Sequence, residues 1–206
     1  MGNYNNKLIF GKGINDADYE TQKFIKVSDR KWSRIWVCPY YSTWKHMLER
    51  CLSLKLKERY PTYKDVVCDK EWLTFSNFKA WMVTQDWEGK HLDKDLLFKG
   101  NNMYCAECCI FVPKSLNNFL TDTQRTRKSD LPKGVCWNKQ HHKYQVRVSN
   151  PFTGQRECVG YFECIVDAEK AYNKRKYEIA LMWCDALTDE RLMKALINMK
   201  FDRFKF

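Results

Sequence analysis

The chain lacks any long apolar segment. Apolar residues make up 44% of its 206 residues, yet no apolar run approaches the ~20 residues that are needed to span a bilayer. The first residues, MGNYNNKLIFGKG, have neither the apolar core of a secretory signal nor, with Asn6, the Ser or Thr of a myristoylation signal. These absences favour a cytoplasmic protein with no membrane among its partners.

A complete set of zinc ligands is also lacking. Cys105 and Cys108 form one Cys-x-x-Cys pair, which is half of a structural zinc site. Cys68 is isolated, His141 and His142 are adjacent, and no second pair with ligand spacing follows. Ten cysteines in a cytoplasmic chain are expected to be reduced core residues. The sequence therefore predicts core packing at this motif, with no structural zinc.

Acidic residues are outnumbered, with 25 Asp or Glu against 36 Lys or Arg and a formal net charge of +11. Residues 114–156 contain nine Lys or Arg against two Asp, so most of the excess is gathered in one segment. A basic segment of this kind is the electrostatic footprint of a phosphate-binding surface. The charge distribution therefore predicts a nucleic-acid partner.

The segment from Gly134 to Ala180 predicts a small antiparallel sheet followed by a helix. Residues 143–148 alternate with period two, so the strand has one apolar face and one polar face. The apolar face carries Tyr144, Val146 and Val148, and the polar face carries Lys143, Gln145 and Arg147. A turn signal at 150–154 leads into a second strand at 157–162, and Asp167 is the predicted cap of the helix. The apolar face can be buried by that helix, which leaves the basic face to contact DNA.

This order of Gly-Val, basic strand, Gly-Tyr-Phe and Asp-Ala-Glu-Lys-Ala-Tyr resembles the Apetala-two domain. That domain is the DNA-binding module of plant ethylene-response factors and also occurs in phage and mobile-element endonucleases. The resemblance implies that a three-stranded sheet enters the major groove of double-stranded DNA. The DNA-binding residues that it implicates by position are Trp137, Lys139, Lys143, Gln145, Arg147 and Arg156. The arginine-rich first strand of the plant proteins is Cys-Trp-Asn-Lys here, so their sequence preference does not carry over.

The first two-thirds of the chain predicts helices and then a short hairpin. Residues 1–36 show little periodicity, and they either pack as a strand or lie along DNA. From Ser42 apolar residues recur at helical spacing as far as Tyr60, before Pro61, and a second helix is predicted from Ser76. Strands at 92–98 and 109–112, with a short helix after Pro113, complete a ββα arrangement.

The segment from Tyr40 to Leu120 resembles the HNH-type endonucleases of phages and homing elements. The resemblance implies that Asp93 on the first strand and Asn117 on the helix bind one divalent metal, Mg²⁺ or another. Lys94 falls where the general-base histidine of that family belongs. A lysine with a reference pKa of about 10.4 is protonated near neutral pH and cannot accept a proton from water. Cys108 stands where an asparagine commonly orients that histidine.

Three interpretations of this segment stay open. In the first, a metal on Asp93, Asp95 and Asn117 activates water unaided, or His91 replaces the missing base, because strand alternation places His91, Asp93 and Asp95 on one face. In the second, the fold persists without catalysis, and the protein is a DNA-binding regulator or an inhibitor of a host factor. In the third, residues 91–95 form a solvated edge strand.

The sequence as a whole predicts an α+β protein in five parts. They are an arm at 1–36, an HNH-like ββα-metal domain with its preceding helices at 37–121, a basic linker at 122–130, an Apetala-two-like domain (three-stranded antiparallel sheet plus helix) at 131–186 and a helical tail at 187–206. The predicted function is that of a phage-type, metal-dependent DNA endonuclease or nickase directed by the sheet, in the host cytoplasm if phage-encoded. Double-stranded DNA is the predicted partner, and a host protein is a further candidate.

Overall fold

The computed structural model describes residues 8–120 and 130–202, with the side chains of residues 200–202 excepted. The described part of the chain is mixed α+β, with six α-helices and nine strands. It divides into two compact units, residues 1–111 and 112–206. Most of the predicted linker at 122–130 lies outside the described residues. Among the helices that the structure describes, none is long and apolar enough to cross a membrane.

The first unit opens with a β-hairpin. Strand β1 (Gln22–Ser28) pairs antiparallel with β2 (Lys31–Val37), and Gln22 lies opposite Val37. Large apolar side chains on both strands stay exposed, and that of Trp32 is 63% exposed. The predicted arm at 1–36 therefore contains a hairpin that buries little of its own apolar surface.

The first unit has three helices, namely α1 (Pro39–Leu52), α2 (Leu54–Arg59) and α3 (Phe75–Met82), and α1 and α3 contribute buried residues to its core. The predictions of helices near Ser42 and Ser76 are confirmed. Ser53 separates α1 from α2, and its hydroxyl accepts a hydrogen bond from the backbone N–H of Leu56 at 3.2 Å, which caps α2. Trp44 is fully buried at the centre, where its indole N–H donates to the carbonyl oxygen of Trp72 at 2.7 Å.

Four short strands follow or interrupt these helices, namely β3 (Val67–Cys68), β4 (Lys90–Asp93), β5 (Met103–Tyr104) and β6 (Ile110–Pro113). β3 pairs parallel with β5, and β4 pairs with β6. The prediction that a strand runs from residue 92 to residue 98 was wrong, because the chain turns after Asp93. One carboxylate oxygen of Asp93 accepts hydrogen bonds from the backbone N–H groups of Asp95 and Leu96, at 2.8 and 2.7 Å. Such a local bond competes with the extension of a strand.

The second unit begins with α4 (Lys114–Leu120) and continues with a three-stranded antiparallel sheet. The sheet has the order β7 (Val135–Asn138), β8 (Lys143–Ser149) and β9 (Arg156–Phe162), and it is followed by α5 (Ile165–Leu181) and α6 (Glu190–Asp202). The predicted three-stranded sheet with a helix is confirmed. Apolar residues of β7 and β8 pack against α5 in a core of Val135, Val146, Val148, Ala168, Tyr172 and Ile179.

The ends of α5 and α6 refine the prediction for the last part of the chain. The N-cap of α5 is Cys164, whose sulfur accepts from the backbone N–H of Asp167 at 3.4 Å, so Asp167 lies inside the first turn and is not the cap. The predicted tail helix is present as α6, with Leu192 and Leu196 buried. The hydroxyl of Tyr177 on α5 donates to the carbonyl oxygen of Ile197 at 3.1 Å, which ties α6 to α5.

Candidate nucleic-acid interface

The sheet of the second unit has one face covered by α5 and one face turned away from it. We call the second the open face, and it carries Cys136, Asn138, Lys143, Gln145, Arg147, Arg156, Cys158 and Tyr161. Glu157 lies opposite the buried Val148, and its carboxylate accepts from the guanidinium of Arg175 on α5 at 2.9 Å. The acidic side chain of β9 is therefore held by the helix and does not reduce the positive charge of the open face.

Gln145 is the centre of the open face, although only 5% of the residue is exposed. Its side-chain N–H₂ group donates to the hydroxyl of Tyr161 at 3.1 Å and to the sulfur of Cys158 at 3.5 Å. Its carbonyl oxygen accepts from Asn138 at 3.5 Å and from the thiol of Cys136 at 3.9 Å. Gln145 was predicted to contact DNA, whereas the structure places it beneath its neighbours, where it orients them.

The basic residues of the predicted site differ in how much of their charge is compensated. The ammonium of Lys143 forms an ion pair with Glu163 at 2.8 Å. Arg147, Arg156 and Lys139 are exposed, and within the described ranges no carboxylate lies within ion-pair distance of either arginine. Arg147 and Arg156 are therefore the positive groups of this face that are best placed to contact phosphate.

Trp137 lies apart from the other predicted DNA-binding residues. It is opposite Tyr144 in the register, and the two rings are 4.9 Å apart in an edge-to-face contact. Because alternate residues of a strand share a face, Trp137 is on the side of Val135, which packs against α5. Its ring is half-exposed at the end of that side.

Tyr161 and His141 belong to the candidate interface and were not predicted. Their rings are 4.4 Å apart, and both residues are exposed. A β-bulge explains the omission of Tyr161: Val146 pairs with Gly160 and Arg147 with Cys158, so one residue of β9 is unpaired and the alternation reverses. A glycine inside a strand often indicates a bulge, so Gly160 is the feature of the sequence from which the bulge could have been predicted.

Comparison of the chain with protein-family models, with curated proteins and with solved structures found no match. The interpretation of this surface therefore depends on its own geometry and charge.

The residues predicted to be catalytic are divided between the two units. His91 and Asp93 lie on β4, and Asp95 lies in the turn that follows. Strand alternation was expected to place all three side chains on one face, but the strand ends at Asp93 and Asp95 is not part of it. Asn117 is half-buried on α4, in the second unit. Within β4 the side chain of Leu92 is buried, which leaves His91 and Asp93 on the opposite side of the strand.

Lys94, which takes the place of the general-base histidine in the resemblance, is a structural residue. Only 6% of it is exposed. Its ammonium donates to the carboxylate of Asp95 and, at 2.7 Å, to the carbonyl oxygen of Asn101. The side chain of Asn101 in turn donates to the carbonyl oxygen of Lys94 at 2.8 Å and closes the loop. These bonds engage both Lys94 and Asp95 in shaping the chain after β4.

Within residues 8–120 and 130–202, no cluster of three or more His, Cys, Asp or Glu is placed to hold a metal ion. A Mg²⁺ site with a single carboxylate is not of that kind, so the predicted metal stays a prediction. At the Cys-x-x-Cys motif, burial raises the pKa of Cys105 to about 12 and raises the pKa of Cys109 as well. Both thiols are therefore protonated near neutral pH.

Proposed function

We propose that the protein binds double-stranded DNA with the open face of its three-stranded sheet. The observation that carries the proposal is the pair of exposed, uncompensated guanidinium groups of Arg147 and Arg156 on a face that α5 leaves uncovered. Guanidinium groups bind phosphate oxygens through two hydrogen bonds and also recognise guanine in the major groove.

The groups around the two arginines suit DNA better than an apolar partner. Asn138 and Tyr161 present amide and hydroxyl groups that are held in place by Gln145. Polar side chains of this type contact base edges and phosphates, and a small sheet fits into the major groove of B-form DNA. The major groove of double-stranded RNA is too deep and narrow for side chains to read, so DNA is the better fit. The order of three strands and a helix also agrees with the resemblance to the Apetala-two domain.

The test of this proposal is the salt dependence of DNA binding by the full chain. Arg147→Met and Arg156→Met each remove a charge and keep most of the aliphatic side chain, and Lys174→Met on the exposed side of α5 is the matched control. Each arginine variant should reduce the magnitude of the log-log salt slope by about 0.9, because one phosphate contact is lost. The control should leave the slope unchanged. If both arginine variants bind DNA with the slope and affinity of the wild type, the open face is not part of the DNA interface.

Hydrolysis of the bound DNA is a second candidate function, and the end of β4 favours it. His91 and Asp93 share the side of β4 opposite Leu92, and two backbone N–H groups fix the carboxylate of Asp93. A carboxylate suits Mg²⁺, which prefers oxygen ligands, and Asp93 is the residue of this turn that would hold it. Bound there, the ion would supply Lewis-acid activation of water. Asp95 suits this role less well, because the ammonium of Lys94 already neutralises it.

The nuclease proposal is tested with supercoiled plasmid and Mg²⁺ or Mn²⁺. Asp93→Asn removes the charge but keeps an oxygen that can accept from the backbone of Asp95 and Leu96, so the turn is preserved. We expect the wild type and the exposed-site control Asp65→Asn to nick the plasmid and Asp93→Asn to leave it intact, with unchanged DNA affinity. No cutting by the wild type, or equal cutting by both variants, contradicts the proposal.

A further inference from the structure

A groove runs along the edge of the sheet in the second unit, where β7 stops pairing with β8. β7 begins at Val135, and one further bond joins the backbone N–H of Arg147 to the carbonyl oxygen of Gly134 at 2.8 Å. β8 continues to Ser149, so its last residues border an opening that α4 and α5 also line. The groove has a volume of about 450 Å³. That is within the usual size of a site for a small ligand.

The groove is lined by basic side chains from four segments of the chain. Lys133 comes from the loop before β7, Arg147 from β8, Arg156 from β9 and Lys176 from α5. Among the described residues that line it, none is acidic. A concave surface lined by charges of one sign concentrates the electrostatic potential and attracts ions of the opposite sign.

Lys176 is the most deeply placed of these residues, with 3% of it exposed. Its ammonium lies 5.4 Å from the ring centre of Phe119 and 6.0 Å from that of Tyr172. Lysine is rarely buried to this extent, and the two rings offset part of the cost of placing the charge there. The side chain therefore brings a positive charge to the inner wall of the groove.

Lys133 adds a second ammonium next to that of Lys176. Burial, and after it the neighbouring Lys176, lowers the pKa of Lys133 to about 8. The other charged or titratable residues that line the groove around Lys133 are Cys136 on β7, Arg147 on β8, Arg156 on β9 and Tyr172 on α5.

We propose that this groove is a phosphate-binding site, in which Lys133 and Lys176 bind the anion and Arg147 and Arg156 close the side toward the open face. Because the two arginines belong to both surfaces, a backbone phosphate of DNA lying on the open face is one source of the ligand. A free phosphate or the phosphate of a nucleotide is the other. The site itself does not depend on DNA binding, so the two proposals can fail separately.

The first experiment measures the binding of inorganic phosphate to the full chain by calorimetry and by thermal unfolding, at constant ionic strength with chloride as the reference. Phosphate should raise the unfolding temperature of the wild type above that in chloride, because a ligand that binds only the folded state stabilises it. Lys133→Met and Lys176→Met should each weaken phosphate binding roughly tenfold, and the control Lys174→Met should not.

Two results overturn the proposal: no effect of phosphate beyond that of chloride, or wild-type phosphate affinity in both Lys133→Met and Lys176→Met. Lys176 is buried, so Lys176→Met can fail to fold. Lys133→Met changes a half-exposed loop residue and then decides the question alone.

The pH dependence gives a readout that a merely structural lysine would not change. With sulfate as the probe, affinity should fall between about pH 7 and about pH 10, because Lys133 loses its proton over that range. The fall should be smaller in Lys133→Met. A wild-type affinity that does not change with pH would overturn the assignment of Lys133 to the site.

A titration of labelled duplex DNA separates the two sources of phosphate. If a backbone phosphate occupies the groove, Lys133→Met reduces the magnitude of the salt slope by about 0.9 and free phosphate competes with DNA. If the ligand is a free anion, Lys133→Met weakens phosphate binding and leaves DNA affinity unchanged. Both outcomes support the site. A chain that binds phosphate but no DNA also supports it and refutes only the proposed function.

Discussion

The replacement of Gly134 by alanine tests how closely the loop before β7 packs on α5. Gly134 has a φ of +77°, and an added Cβ would lie 2.1 Å from two ring carbons of Tyr172 and 2.8 Å from the carbonyl oxygen of Arg147. An alanine in the left-handed backbone conformation destabilises the folded state by about 1–2 kcal/mol. Alanine also lowers the conformational entropy of the unfolded chain, which stabilises the protein by about 0.4–1 kcal/mol. Movement of the ring or the loop to relieve the clash adds about 1–3 kcal/mol. We therefore expect Gly134→Ala to destabilise the second unit by about 2–4 kcal/mol.

Gly154 supplies the matched control. Its φ is +69°, but nothing lies within 4 Å of an added Cβ, so Gly154→Ala carries the backbone cost alone, about 0.5–1 kcal/mol. Hydrogen exchange at increasing urea, read from the peptides of β7 to β9 by mass spectrometry, reports the stability of this sheet separately from the first unit. Equal losses in the two variants would refute the close packing of Gly134 on Tyr172.

Two further predictions concern the core and the acid stability. Trp44→Phe should destabilise the first unit by about 2–3 kcal/mol in the same exchange experiment, because it leaves a cavity and removes the partner of the buried carbonyl of Trp72. The amide of Asn150 and the guanidinium of Arg175 hold the pKa of Glu157 below its ordinary value of 4.5. The stability that this carboxylate supplies is present above about pH 4.5 and is lost as the pH falls through the lowered pKa, so Glu157→Gln should flatten the acid dependence of unfolding.

Exposed residues of the same types are the controls for these two variants. Trp32→Phe in the hairpin should change stability by no more than about 0.5 kcal/mol. Glu169→Gln on the exposed side of α5 should leave the acid dependence as it is in the wild type. A loss in Trp44→Phe no larger than in Trp32→Phe would contradict the role given to the Trp44 indole. Identical pH profiles for Glu157→Gln and wild type would contradict the role given to Glu157.

The sequence predicts those elements whose stability comes from their own periodicity. Trp44, Met47 and Leu48 recur at helical spacing and form one buried side of α1, so the pattern and the packing agree. The sheet of the second unit follows the same rule, because Val146 and Val148 alternate with Arg147. In both places the burial pattern can be read from a single segment.

The errors arise where distant or local hydrogen bonds override the pattern. The alternation of His91, Asp93 and Asp95 ends because the carboxylate of Asp93 bonds to the backbone that follows it. Gln145 alternates like an exposed residue, yet side chains from β7 and β9 cover it. No pattern within one segment reveals which residues a neighbouring strand will place beside it, so the bulge and the burial of Gln145 became visible only in the sheet.

The four bonds of the Gln145 side chain also limit how this protein can change over evolutionary time. Asn138, Tyr161 and the thiols of Cys136 and Cys158 all form hydrogen bonds with this one amide. A substitution of any one of them alters the environment of Gln145 and, through it, the other three. New binding preferences on this surface should therefore arise by coordinated sets of substitutions across the three strands, whereas Arg147 and Arg156 at its margin can vary one at a time.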